Sequence, residues 1–182
     1  MKIIGVLGRA RSGKDTISGI LIQELQSKGV NYKVVRLATP IKEAAVALFG
    51  FTHEQLEGPS KDVIDPVWKV TPRSVFQKIT DTTMKKMGVQ FFTKRLYQKY
   101  DASSESEKYI IIPDVRYPHD IEEIHRRGGL VIKVCRNDTN IIRHDCENII
   151  DTLEGDVNIN NSGSITELHD QIRAVLIKSQ ST

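Results

Sequence analysis

The chain has 182 residues, 39% hydrophobic and 27% charged, which suits a single globular domain with a sizeable core. Its 26 Lys and Arg exceed its 23 Asp and Glu by only three, too few for the basic face that a binder of polymeric nucleic acid needs. Two cysteines, Cys135 and Cys146, supply no disulfide framework, and no apolar run is long enough to span a bilayer, so a cytoplasmic protein without membrane partners is expected.

Met1-Lys2 leads straight into an apolar β-type run, Ile3 to Leu7, so no signal peptide is expected. A turn bounded by Gly8 and Gly13-Lys14 follows, then a helix with Ile17, Ile20, Leu21 and Leu25 on one face, closed near Gly29. Tyr32 to Ala38 predicts a second strand and completes a βαβ unit. Thr39-Pro40 opens a helix through Phe49, with Ile41, Ala45 and Leu48 on one face, and Thr52 to Gln55 has the form of a capping box. Glu57 to Val70 reads as irregular. Thr71-Pro72 then starts a helix to about Met87, its buried side expected to carry Phe76, Ile79, Thr83 and Met87. A further helix spans about Gln90 to Tyr100, and Asp101 to Lys108 reads as a solvated loop. Tyr109 to Val115 is apolar like a strand buried on both faces. A helix from Pro118 to Arg127, a strand from Leu130 to Cys135 and a strand from Val157 to Ile159 follow. Ser164 to Glu167 caps a last helix whose core face is expected at Ile165, Leu168, Ile172, Val175 and Leu176. The pattern predicts an α/β fold: a five-stranded parallel sheet with helices on both faces.

Strand, glycine-bounded loop and helix, in that order, is what a phosphate-binding loop requires. Glycines let backbone N–H groups turn inward, the helix N-terminus adds partial positive charge, and Lys14 adds a full one. After Gly13-Lys14 stands Asp15, with Thr16 following, where Ser or Thr is usual. The carboxylate is either a hard ligand for Mg²⁺ or an acid favouring the helix start. Ligands of parallel sheets sit beyond the carboxyl ends of the strands, which gathers Gly8 to Thr16, Lys42, Asp114, Arg116, Arg136 and Arg143 around one crevice. Asp114 suits a second Mg²⁺-linked acid or a turn residue. Arg73 and Gln77 share a helix face that could grip a phosphate and a base edge, though exposed arginines are common on helices. His144 to Glu147 cannot converge on one ion and reads as part of a polar lid.

In five blocks the chain resembles the viral and phage deoxynucleoside monophosphate kinases, within the nucleoside/nucleotide kinase group of P-loop proteins. The blocks are Arg11 to Thr16, Ala38 to Ala44, Thr71-Pro72-Arg73 with Gln77, Ile112 to Asp120, and His144 to Glu147 with Asn160 to Ser164. The resemblance implies a three-layer P-loop kinase fold in one domain, with an acceptor-binding helical insert over about 40–100 and a lid over about 136–150. It implies transfer of the ATP γ-phosphoryl group to a deoxynucleoside 5′-monophosphate with Mg²⁺. Arg11, Ser12, Gly13, Lys14, Asp15, Thr16, Arg136 and Arg143 would bind ATP. Ile41, Lys42, Arg73, Gln77, Asp81, Phe92, Asp114, Arg116 and Asp120 would bind the acceptor. Lys14, Arg11, Asp15 and Arg116 would be catalytic, and Asp15 and Asp114 would hold the metal. Ile79 to Thr82 departs from the family pattern by lacking a glycine, and Cys146 stands where Ser is usual, which bears on base selectivity. Partners are small nucleotides, with a homodimer left open and the host cytoplasm as location if the source is viral. The rival readings are a P-loop kinase of another metabolite, of the dephospho-coenzyme A or phosphomevalonate type, and a non-catalytic nucleotide-binding module.

Overall fold

The computed structural model describes residues 2–101, 108–136 and 145–180. In chain order the elements are β1 (Lys2–Gly8), α1 (Lys14–Ser27), β2 (Tyr32–Val34), α2 (Thr39–Phe49), α3 (His53–Leu56), a 3₁₀ turn (Pro59–Asp62), α4 (Pro72–Met87), α5 (Phe91–Asp101), β3 (Tyr109–Val115), α6 (Pro118–Arg126), β4 (Leu130–Cys135), α7 (Asp145–Thr152), β5 (Val157–Asn160) and α8 (Ile165–Gln180). They divide into two compact units, Met1–Arg36 with Gln98–Thr182, and Leu37–Tyr97.

The first unit holds the sheet, in the order β2-β3-β1-β4-β5 with every pairing parallel. Strands buried on both faces carry continuous apolar runs, and the central strand β1 and its neighbour β3 do so. Ile4 and Val6 share a core with Ile17, Leu21 and Leu25 of α1 and Leu168, Ile172 and Leu176 of α8. Gly5 points to the opposite face, as strand alternation demands, and there a Cβ would meet Ile124 Cδ1 of α6 at 2.6 Å. Helices therefore cover both faces, as the sequence predicts. Val115 pairs with Leu7, but Ile112 pairs with Gly5, so β3 carries one extra residue at Pro113-Asp114.

The second unit is helical. Ala45, Phe51 and Val75 form its core, flanked by Phe49, Leu56, Val70, Phe76 and Ile79. The stretch expected to be irregular is organised by one carboxylate. Asp65, 9% exposed, accepts from the Val67 and Trp68 amides at 2.9 and 3.0 Å and from Gln55 Nε2 at 2.7 Å. The Trp68 indole donates to the Phe49 carbonyl at 2.7 Å and meets the Phe49 ring edge-on.

Four sequence expectations need correction. The second strand stops at Val34, short of Ala38, because β2 is an edge strand with β3 as its one neighbour. Val35 makes a last amide bond to the Ile111 carbonyl, and the chain then turns. Leu48 is exposed, and so is Met87; the buried residues of α4 are Pro72 and Val75. The small core lies by the first turns of α4, so the last turn is left uncovered. Ile165, expected on the core face of α8, is also exposed.

Candidate active site

Two glycines shape the loop between β1 and α1. Gly13 is the N-cap of α1 with φ +98°, a left-handed conformation, and a Cβ there would overlap the Asn161 side-chain amide. A Cβ on Gly8 would meet Ser12 Oγ at 2.7 Å. Arg11 is also left-handed, at φ +63°, and its side chain is exposed. Lys14 folds back over the loop, its ammonium donating to the carbonyls of Gly8 at 2.7 Å and Arg9 at 2.5 Å. Ser12 is buried, and among the described residues its hydroxyl has no hydrogen-bond partner. Buried polar groups are normally hydrogen-bonded, so this hydroxyl marks the loop as a polar site.

Neighbouring strands add to this loop. Asn161, directly after β5, donates from Nδ2 to the Ser12 carbonyl at 2.8 Å, and its own amide is tied to the Cys135 carbonyl at 2.8 Å. Arg36, just past β2, lies 3.6 Å from the Asp15 carboxylate, and both side chains are exposed. Asp15 and Thr16 stand in the first turn of α1, both exposed. Arg9 forks onto Asp151, with Nε donating at 2.6 Å. Register brings the bulge at Asp114 beside the end of β1, where the loop begins. Arg116 follows β3, half-buried. Its amide donates to Asp120 Oδ2 at 3.2 Å, and the Tyr117 amide donates to the same oxygen at 3.1 Å. Asp120 is 3% exposed and caps α6 from within. Arg136 is exposed just past β4. Arg143 and residues 137–144 of the expected lid lie outside the described residues.

The helical unit carries the remaining expected residues. Ile41 is buried on α2, and Lys42 one residue on pairs with Glu57. Arg73, in the first turn of α4, grips Asp62 with two guanidinium nitrogens, the second bond at 2.9 Å. Gln77 is half-buried one turn along α4, and Asp81 is exposed beyond it. Phe92 is half-buried and meets Phe91 edge-on, ring centroids 5.2 Å apart.

Residues 60–172 match the sequence profile of the family described as deoxynucleotide monophosphate kinase. The chain belongs to this family. A protein of Acanthamoeba polyphaga mimivirus named for the same activity is 28% identical over 191 residues, covering 94% of each chain. The deoxynucleotide monophosphate kinase of Enterobacteria phage T4 is 25% identical, covering 97% of this chain and 99% of the phage protein. Among solved structures, the APS kinase CysC of Mycobacterium tuberculosis superposes with a TM-score of 0.52 over 97% of this chain and 96% of its own, at 13% identity. That likeness supports the P-loop kinase fold.

Sequence reasoning missed Arg36, Asn161 and Lys61. Arg36 seemed to lie within the second strand; once that strand ends at Val34, the residue stands at a carboxyl end, where ligands are met. Asn161 belonged to a matching block without a role of its own. Lys61 carries no local signal. Burial lowers its ammonium below the usual lysine range, and the charges of Arg73 and Lys42 lower it further.

Proposed function

We propose that this chain transfers the γ-phosphoryl group of ATP to the 5′-phosphate of a deoxynucleoside monophosphate, giving the diphosphate and ADP in the cytoplasm. The observation that carries this reading is the loop from Gly8 to Lys14, with its left-handed Gly13, its lysine folded onto loop carbonyls and its orphaned serine hydroxyl.

In this reading the amides of Arg11 to Thr16 surround the β- and γ-phosphates, and Lys14 exchanges the Gly8 and Arg9 carbonyls for phosphate oxygens. Asn161 holds the loop open through the Ser12 carbonyl. Asp15, exposed at the helix start, and Asp114, in the β3 bulge, are hard oxygen donors. They fit Mg²⁺, which takes one or two carboxylates and fills its other positions with phosphate oxygens and water. Bound there, the ion would neutralise charge on the ATP phosphates. Arg11, Arg116, Arg136 and Arg143 serve as clamps for charge that spreads over the moving group. On the acceptor side, Lys42 and Arg73 bind the monophosphate, Gln77 and Asp81 read the base edge, Phe92 stacks on the base and Ile41 walls the pocket. Asp120 acts by holding the Arg116 backbone. The acceptor phosphate is already anionic near neutral pH, so no general base is needed. A lid over 136–150 would exclude water.

Lys14→Ala is expected to lower kcat by at least about a hundred-fold with circular dichroism unchanged; retained turnover would refute the reading. Coupled ADP release, screened over the four deoxynucleotides, dephospho-coenzyme A and phosphomevalonate, identifies the acceptor. ATP binding without acceptor-dependent turnover would instead mark a binding module.

A further inference from the structure

The helical unit contains a partly buried cation. Lys61 lies in the 3₁₀ turn, half-buried, and next to it in sequence stands Asp62, which is gripped by Arg73. Glu57, just before the same turn, is paired with Lys42. Among the described residues Lys61 makes no ion pair and no hydrogen bond of its own. The larger effects on it share one sense: burial disfavours the ammonium, and Arg73 and Lys42 repel it, against a smaller attraction from Glu57 and Asp62. Three cations thus share a region with two carboxylates, and each carboxylate is already engaged by one of the other two cations. A partly desolvated ammonium in that position is compensated when an anion arrives. A phosphate dianion matches what is offered, since Arg73 presents a planar fork and the lysines present point charges from elsewhere in the unit.

We propose that Lys61 is a third cation for the 5′-phosphate of the acceptor, acting with Lys42 and Arg73, while Glu57 and Asp62 hold those two side chains until the phosphate enters. The proposal rests on the reaction assigned above, and it adds a residue that reads the phosphate and ignores the base. Its removal therefore weakens every accepted deoxynucleotide by a similar factor.

The test uses the full chain as wild type, Lys61→Met, Lys61→Gln and Lys61→Arg. Calorimetry measures binding of the four deoxynucleoside monophosphates and their parent nucleosides, and steady-state kinetics separate KM for acceptor from KM for ATP. Loss of one charge-assisted contact weakens the monophosphates by about ten- to hundred-fold. ATP KM and nucleoside affinity stay within two-fold, by roughly the margin expected of a residue that touches neither, and the arginine variant recovers most of the loss. Equal monophosphate affinity for wild type and both neutral variants overturns the proposal, as does an equal loss for nucleoside and monophosphate. If wild type binds none of the four monophosphates, the assigned reaction fails, and Lys61 is judged on inorganic phosphate. Weaker phosphate binding by the neutral variants then upholds the three-cation site, and unchanged binding sinks it.

Discussion

Gly13 shows how much a single position can decide. Its φ of +98° starts α1 in a left-handed conformation, and the space a Cβ would need is filled by the Asn161 amide, which is itself tied to the Ser12 carbonyl. Alanine there meets two separate penalties, one in the backbone and one in packing. Gly13→Ala should cost about 1–3 kcal/mol of stability through the strained backbone, and it should abolish ATP binding because the loop amides lose their aim. Thermal melting and ATP titration check both parts; an alanine variant that binds ATP like wild type would refute the role given to the loop. Gly8, Gly13 and Lys14 were legible from sequence because spacing between a strand and a helix is local information. Arg36 and Asn161 were not, because what they touch, Asp15 and Ser12, is set by tertiary placement.

Elements were legible where they carry their own start and stop signals. Thr71 accepts from the Ser74 amide at 3.2 Å ahead of Pro72, and the Ser164 and Glu167 pair caps α8 reciprocally, as the sequence predicts. Burial faces were less legible, since a helical period says that a face exists without saying how far its neighbour reaches; Met87 and Ile165 are exposed for that reason. The start of α6 joins stability to function. Asp120 receives the amides of Arg116 and Tyr117 on one oxygen, so the carboxylate fixes both the helix entry and the backbone of an expected clamp arginine. Asp120→Ala should cost about 1 kcal/mol, which lowers Tm by about 2–4 °C for a chain of this size. It should raise acceptor KM more than ATP KM. A melting loss with both KM values unchanged would confine Asp120 to the helix cap.

Across the whole molecule the charges are nearly balanced in number, and what matters is how they are paired. Glu24 receives His169 and Arg173, Asp65 receives the Trp68 amide and Gln55, and Glu167 receives Ser164; each carboxyl is held below its usual range. Burial raises Asp156, but the Val131 amide and His125 outweigh it, so it too is lowered. Glu123 is held down to about 2, first by hydrogen bonds from Arg126 and then by Arg127, from an ordinary value of 4.5. A carboxyl whose folded value lies below its unfolded one binds more protons when unfolded, so its contribution is complete above the unfolded value and is lost as pH falls through the folded one. For Glu123 that window runs from about 4.5 down to about 2, and after solvent screening its pairs contribute about 1 kcal/mol. All five groups act in the same direction. Urea midpoints should therefore fall steadily as pH drops below the ordinary carboxylate values of 3.8–4.5. The fluorescence of the single tryptophan, Trp68, beside Asp65, reports the helical unit, and far-UV circular dichroism reports the whole chain. Glu123→Gln should remove only its own share of the acid slope and leave the Trp68 midpoint unmoved wherever the two units unfold separately. Midpoints that stay level from pH 5 to about 3 would show that these carboxyls do not support the native state in the sense that linkage requires.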